Sequence, residues 1–255
     1  MPAGPWHWSG LRSVAGCRPR FAPPGSGWFI EEVRRLAWPG FDGAIAHCTF
    51  REERCDGTSF ARHGIECPPP LRRASRRRLA TYLAGRLAAA AAQRELRRPD
   101  EPVGMSPERL PEWPRGLCGS LSHTDRSAVC ALASTSQYAA VGVDVERWLD
   151  DAQAATIADQ VMDDAERRRF SGLGDSTAAF VTLLFSAKES LYKALYPSVR
   201  RYFDFLDAEV TGIDPAARRI ALRLKTRLSM DHAAGRRFTG SFLPLDDEVI
   251  TLISH

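Results

Sequence analysis

Between Phe180 and Leu195, apolar residues fall at i, i+3, i+4, i+7, i+11, i+14 and i+15 (Phe180, Leu183, Leu184, Ala187, Leu191, Ala194, Leu195). That continuous stripe commits the segment to a long helix packed against a core. About forty residues upstream, Val141-Gly-Val-Asp-Val-Glu146 alternates with period two, which commits it to a strand with Val141, Val143 and Val145 on one face. Helical and strand-like patterns also alternate elsewhere. Helices are expected near 30–36, 72–96, 151–170 and 176–196. Strands are expected near 41–50, 119–123, 128–133, 138–146, 208–213, 219–224, 237–242 and 248–253, with a proline-rich loop over 99–117. Both element types occur in both halves, so the expected class is α+β in two lobes, not one parallel sheet. Residues 1–27 read as a loose extension, 28–140 as the first lobe and 141–255 as the second.

A chain of 255 residues can bury a sizeable core. Its formal charge of +4 does not indicate a nucleic-acid protein. The local balance is more telling, because nine arginines lie between Leu71 and Arg98 (72, 73, 76, 77, 78, 86, 94, 97, 98) against one acid, Glu95. The six cysteines form no Cys-x-x-Cys pair, and no signal-peptide pattern precedes them, so reduced thiols in a cytoplasmic protein are expected. The spacing of His47, Cys48, Cys55, His63 and Cys67 matches no familiar zinc pattern. No apolar run reaches the ~18 residues that a membrane span needs.

Lysine is scarce. Lys and Arg together number 35, yet Lys188, Lys193 and Lys225 are the only lysines, and two of them share the segment Phe185-Ser-Ala-Lys-Glu-Ser-Leu-Tyr-Lys193. A compact ammonium there suits chemistry that a planar guanidinium serves poorly. At about 100° per residue, Glu189 points away from the apolar stripe with Ser186 and Lys193 within roughly 60° of it, and Lys188 lies at the stripe's edge. Glu189 and Lys193 could equally be an ordinary i,i+4 surface pair. On the strand, Gly142, Asp144 and Glu146 share the face opposite the valines. Two adjacent carboxylates there suggest a bound cation, with oxygen donors favouring Mg²⁺, or else a solvated acidic rim.

Gly142-Val-Asp-Val-Glu146 together with Phe185–Lys193 resembles the paired signature of the 4′-phosphopantetheinyl transferase superfamily. Upstream, Arg78 and Arg86 bracketing Tyr82-Leu-Ala-Gly, and Pro111-Glu-Trp-Pro followed by Gly119-Ser-Leu-Ser-His123, resemble the stand-alone surfactin and enterobactin types. The resemblance implies two similar pseudo-symmetric lobes, each a small antiparallel sheet packed with helices, with the active site between them. It implies coenzyme A as co-substrate, an apo acyl or peptidyl carrier protein as acceptor, and Mg²⁺, with Mn²⁺ as a substitute, held by Asp144, Glu146 and Glu189. Glu189, or a water it orients, would take the serine proton, with Lys188 as rival base and Lys193 against the pyrophosphate. Arg78, Arg86, Arg109, Ser122 and His123 would bind coenzyme A phosphates. A monomer without nucleic-acid or membrane partners is expected. The competing reading is an Mg²⁺-dependent nuclease using the arginine helix as its phosphate binder.

Overall fold

The computed structural model describes residues 29–171 and 177–255. The expectation of a loose extension over 1–27 lies outside those residues. The chain is α+β and divides into two compact units, with the break between Ala139 and Ala140.

The first unit contains β1 (Ile30–Leu36), β2 (Ala44–Phe50), α1 (Ser59–Arg62), α2 (Arg76–Glu95), β3 (Gly104–Met105), β4 (Pro111–Glu112), β5 (Leu117–His123) and β6 (Ser127–Ser134). Its main sheet is antiparallel in the order β1-β2-β6-β5. The Ser75 hydroxyl caps α2 by accepting from Arg78 N, satisfying one of the free N–H groups of the first turn. Ala80, Ala84, Ala88 and Ala92 are fully buried on that helix, and such small side chains let it lie close on β2 and β6.

Residues 30–36, expected as a helix, form an edge strand instead. Ile30, Val33 and Leu36 recur every three residues, which mimics a helical stripe, but pairing with β2 decides the matter. Glu31, Glu32 and Arg35 are exposed along this edge, where charge discourages pairing with another chain.

The second unit contains β7 (Val141–Arg147), α3 (Asp151–Val161), α4 (Asp164–Phe170), α5 (Thr177–Val199), β8 (Ala208–Asp214), β9 (Arg219–Leu224), β10 (Arg237–Pro244) and β11 (Glu248–Ser254). Its antiparallel sheet runs β7-β11-β10-β9-β8. The single helix expected over 151–170 is two. Asp150 and Gln153 form a capping box for α3, and Asp163 and Glu166 form a second one that restarts the chain as α4.

Helix α5 crosses β7 and β11. A Cβ on Gly142 would lie 2.6 Å from Ala194 N, so glycine is what lets the helix backbone approach β7 this closely. The strand is consequently buried on both faces, Asp144 as completely as Val143 and Val145. The solvated acidic rim considered from sequence is therefore excluded for Asp144. Among the described residues no helix is long and apolar enough to cross a membrane.

Candidate active site

Alternation along β7 turns Gly142, Asp144 and Glu146 toward α5, and the helix brings Glu189 and Lys193 to the same flank. Lys193 Nζ donates to Asp144 Oδ1 at 2.6 Å, joining a wholly buried carboxylate to a side chain that keeps a quarter of its surface exposed. Burial, reinforced by the Asp144 charge, pushes the Glu146 carboxyl up to about 8 against the opposing pull of Lys193; Glu189 and Glu248 add smaller upward contributions. Glu189 is also raised, first by burial, with Lys193 opposing and Asp144 adding to the rise. The site thus gathers three carboxyl groups around one ammonium, and burial together with their mutual repulsion opposes ionising all three.

That electrostatic character and the all-oxygen donor set fit a hard divalent cation such as Mg²⁺. Among the described residues no three His, Cys, Asp or Glu side chains already stand together in a coordinating group. The fit therefore rests on donor chemistry and charge.

Lys188 goes elsewhere. Its Nζ donates to Glu166 Oε2 at 2.8 Å and to the Val161 carbonyl at 2.7 Å, and the pair is almost completely buried. Burial lowers the Lys188 ammonium and the Glu166 charge raises it back. The expectation that Lys188 sits at the stripe's edge as a rival base meets a buried lysine that donates two hydrogen bonds, one to the end of α3 and one to α4. Ser186, expected on the outward side, is fully buried as well.

Sequence reasoning passed over three features of this unit. Glu166 accepts from Lys188, Asp163 N and Val210 N, which satisfies both carboxylate oxygens. Its Asp163-x-x-Glu166 capping-box spacing was the available signal. Thr251, which pairs in register with Asp144, joins Ser186 and Ser190 in a buried hydroxyl cluster. Finally, a cavity of about 140 Å³ beside Glu189 is walled by Tyr192, Tyr202, Phe203 and Phe205. Tyr192 and Phe203 ring centroids are 4.9 Å apart there.

The phosphate-binding candidates lie in the first unit. Arg78 is half-buried in the first turn of α2. Arg86 is turned inward: its Nη2 donates to the Gly104 carbonyl at 2.9 Å and its guanidinium lies 4.2 Å from the Tyr82 ring centre. Burial lowers its pKa. Arg86 therefore ties the 99–117 segment to α2, as does Gln93, whose amide exchanges two hydrogen bonds with the Glu101 backbone. Arg109 is exposed on the connection between β3 and β4, at φ 64°, where its backbone N–H bonds the Ser106 carbonyl. Ser122 is buried and His123 exposed at the end of the edge strand β5.

Residues 68–133 match the family model described as the 4′-phosphopantetheinyl transferase N-terminal domain, and residues 140–251 match the model of the 4′-phosphopantetheinyl transferase superfamily. Enterobactin synthase component D of Salmonella typhimurium is 37% identical over 202 residues, covering 78% of this chain and 82% of that protein. The 4′-phosphopantetheinyl transferase Svp of Streptomyces mobaraensis is 33% identical over 156 residues, covering 60% of this chain and 61% of its own. The transferase Npt of Nocardia iowensis is 32% identical over 133 residues, covering 51% and 57%. With both units matched and the Asp144–Glu189 constellation inside the second match, the chain belongs to the 4′-phosphopantetheinyl transferase superfamily.

Proposed function

We propose that this transferase moves the 4′-phosphopantetheine arm of coenzyme A onto a serine of apo carrier domains that serve nonribosomal-peptide, siderophore or polyketide assembly. The reading rests on one observation above others: Lys193 is bonded to Asp144, and both act electrostatically on two further carboxyl groups, Glu146 and Glu189, whose pKa values are raised. Such a cluster suits a pyrophosphate brought in with a cation. Family membership displaces the nuclease reading.

In the reaction the serine Oγ forms a bond to the phosphorus that carries the pantetheine, and the bond from that phosphorus to the leaving 3′,5′-ADP breaks. Glu189, directly or through a water, takes the serine proton; its raised pKa makes it a better base than an ordinary surface carboxylate. Lys193 places a point charge against the pyrophosphate. Asp144, Glu146 and Glu189 would hold Mg²⁺ or Mn²⁺, which supplies positive charge where the leaving group becomes more negative. Arg78, Ser122 and His123 bind coenzyme A phosphates, with the arginine fork suited to the 3′-phosphate. Arg86 shapes that site by holding residue 104, and Arg109 contributes from the loop. The aromatic cavity beside Glu189 accommodates the pantetheine arm. Coenzyme A and carrier domains are met in the cytoplasm, where a monomeric enzyme needs neither nucleic acid nor membrane.

The test is the intact mass of apo carrier proteins after incubation with coenzyme A and Mg²⁺. One phosphopantetheine of added mass is expected, and Glu189→Ala should abolish it. No gain with several carriers, or an undiminished gain with the variant, overturns the reading.

A further inference from the structure

Two polar clusters hold α5 on nearly opposite sides. On one side, Lys188 reaches Glu166 in α4 and the Val161 carbonyl at the end of α3, while Glu166 Oε1 accepts Val210 N of β8 at 2.7 Å. On the other, Thr251 of β11 bonds the Ser186 hydroxyl at 2.9 Å, the Ser190 hydroxyl at 2.7 Å and the Ser186 carbonyl at 2.8 Å. Ser190 Oγ also donates to the Thr251 carbonyl. Lys188, Glu166, Thr251, Ser186 and Ser190 are all buried.

Helical geometry relates these clusters to the reaction. Glu189 lies about 100° round the helix from Lys188 and about 100° the other way from Ser190. It therefore occupies the flank midway between the two clusters. Apolar packing specifies how deep a helix sits better than how it is rotated, because one aliphatic side chain replaces another with little penalty. Hydrogen bonds are directional and fix rotation. A rotation of about 10° would carry a carboxylate at the helix rim by about 1 Å, a displacement that can cost about a hundredfold in rate.

We infer that Glu166 and Thr251 are positioning residues: acting through Lys188 on one side and Ser186 and Ser190 on the other, they set the rotation of α5 that presents Glu189 beside Asp144 and Glu146. The inference rests on the transferase reading above with Glu189 at the reacting end.

The test compares the parent with the neutral double variant Glu166→Gln/Lys188→Met and, separately, with Thr251→Val. The glutamine keeps an acceptor for Val210 N, and removing both charges together leaves neither uncompensated. For each protein the thermal midpoint, KM for coenzyme A, kcat and the acid limb of the kcat–pH profile are measured. The expected result is a folded protein whose midpoint stays within a few degrees. Its KM should stay within about twofold and its kcat should fall about tenfold or more, with the acid limb unmoved. A kcat within twofold of the parent in the folded double, or in Thr251→Val, overturns the inference. So does loss of the acid limb in the double, since that assigns the proton transfer to Lys188 itself. If the double does not fold, Thr251→Val decides. A parent that transfers no arm to any carrier refutes the transferase reading and this inference with it; a parent that transfers, with variants that keep kcat, refutes the positioning role alone.

Discussion

The space that a side chain would fill at Gly142 is taken by the backbone carbonyl of Ser190. One residue type on β7 therefore sets how closely α5 approaches, and with it the distance between the strand carboxylates and Glu189. Gly142→Ala should force the helix off the strand, because the overlapping atoms belong to backbone and cannot rotate away. A loss of about 3 kcal/mol or more is expected by urea unfolding, together with loss of transfer. An alanine variant of parental stability would mean that the helix is not seated by this contact.

Much of this arrangement was legible in the sequence. The Gly-Val-Asp-Val-Glu alternation and the stripe from Phe180 to Leu195 specify strand and helix locally, and their residues need few partners to be read. The edge strand 30–36 was not legible, because Ile30, Val33 and Leu36 also satisfy a helical period and the deciding ladder to β2 is tertiary. The break before α4 was encoded in Asp163-x-x-Glu166, a local signal hidden within a segment of otherwise helical composition. Lysine scarcity flagged Lys188 and Lys193 alike. Helical geometry already sets Lys193 beside Glu189 and Lys188 at the stripe's edge, and the fold supplies their partners, 22 residues upstream for Lys188 and 49 residues upstream for Lys193. Thr251 gave no sign at all, since a threonine in an apolar strand looks like any other β-branched residue.

Removing one member of the buried pair should differ sharply from removing both. Lys188→Met alone leaves the Glu166 carboxylate fully buried without its cation. A loss of about 3–5 kcal/mol is expected by denaturant titration, with the double variant Glu166→Gln/Lys188→Met recovering most of it. Equal stability of the single and double variants would show that Glu166 does not depend on Lys188.

The two α2 arginines should separate by assay. Arg78→Ala should raise KM for coenzyme A about tenfold or more, in line with the loss of a charge-assisted hydrogen bond, and leave the thermal midpoint in place. The penalty should vanish with dephospho-coenzyme A, which lacks the 3′-phosphate. Arg86→Ala should instead lower the midpoint, because it releases the Gly104 carbonyl and the Tyr82 ring. A persistent Arg78 penalty on the dephospho substrate would rule out its 3′-phosphate role.

The carboxylate cluster should couple stability to pH and to Mg²⁺. The Glu146 carboxyl, at about 8 in the fold, lies above its ordinary value of 4.5. The folded state therefore holds the proton where the unfolded chain has lost it. This group's stabilising contribution is complete below about pH 4.5, declines as pH rises toward 8, and is gone above that. In EDTA the thermal midpoint should fall across this window, and Glu146→Gln should flatten the slope. A cation favours the ionised carboxylates, so Mg²⁺ should raise the midpoint more at pH 8.5 than at pH 5.5. Its binding near pH 7 should also release protons, measurable by calorimetry in buffers of different ionisation enthalpy. Equal Mg²⁺ stabilisation at both pH values would remove Glu146 from the metal-binding set.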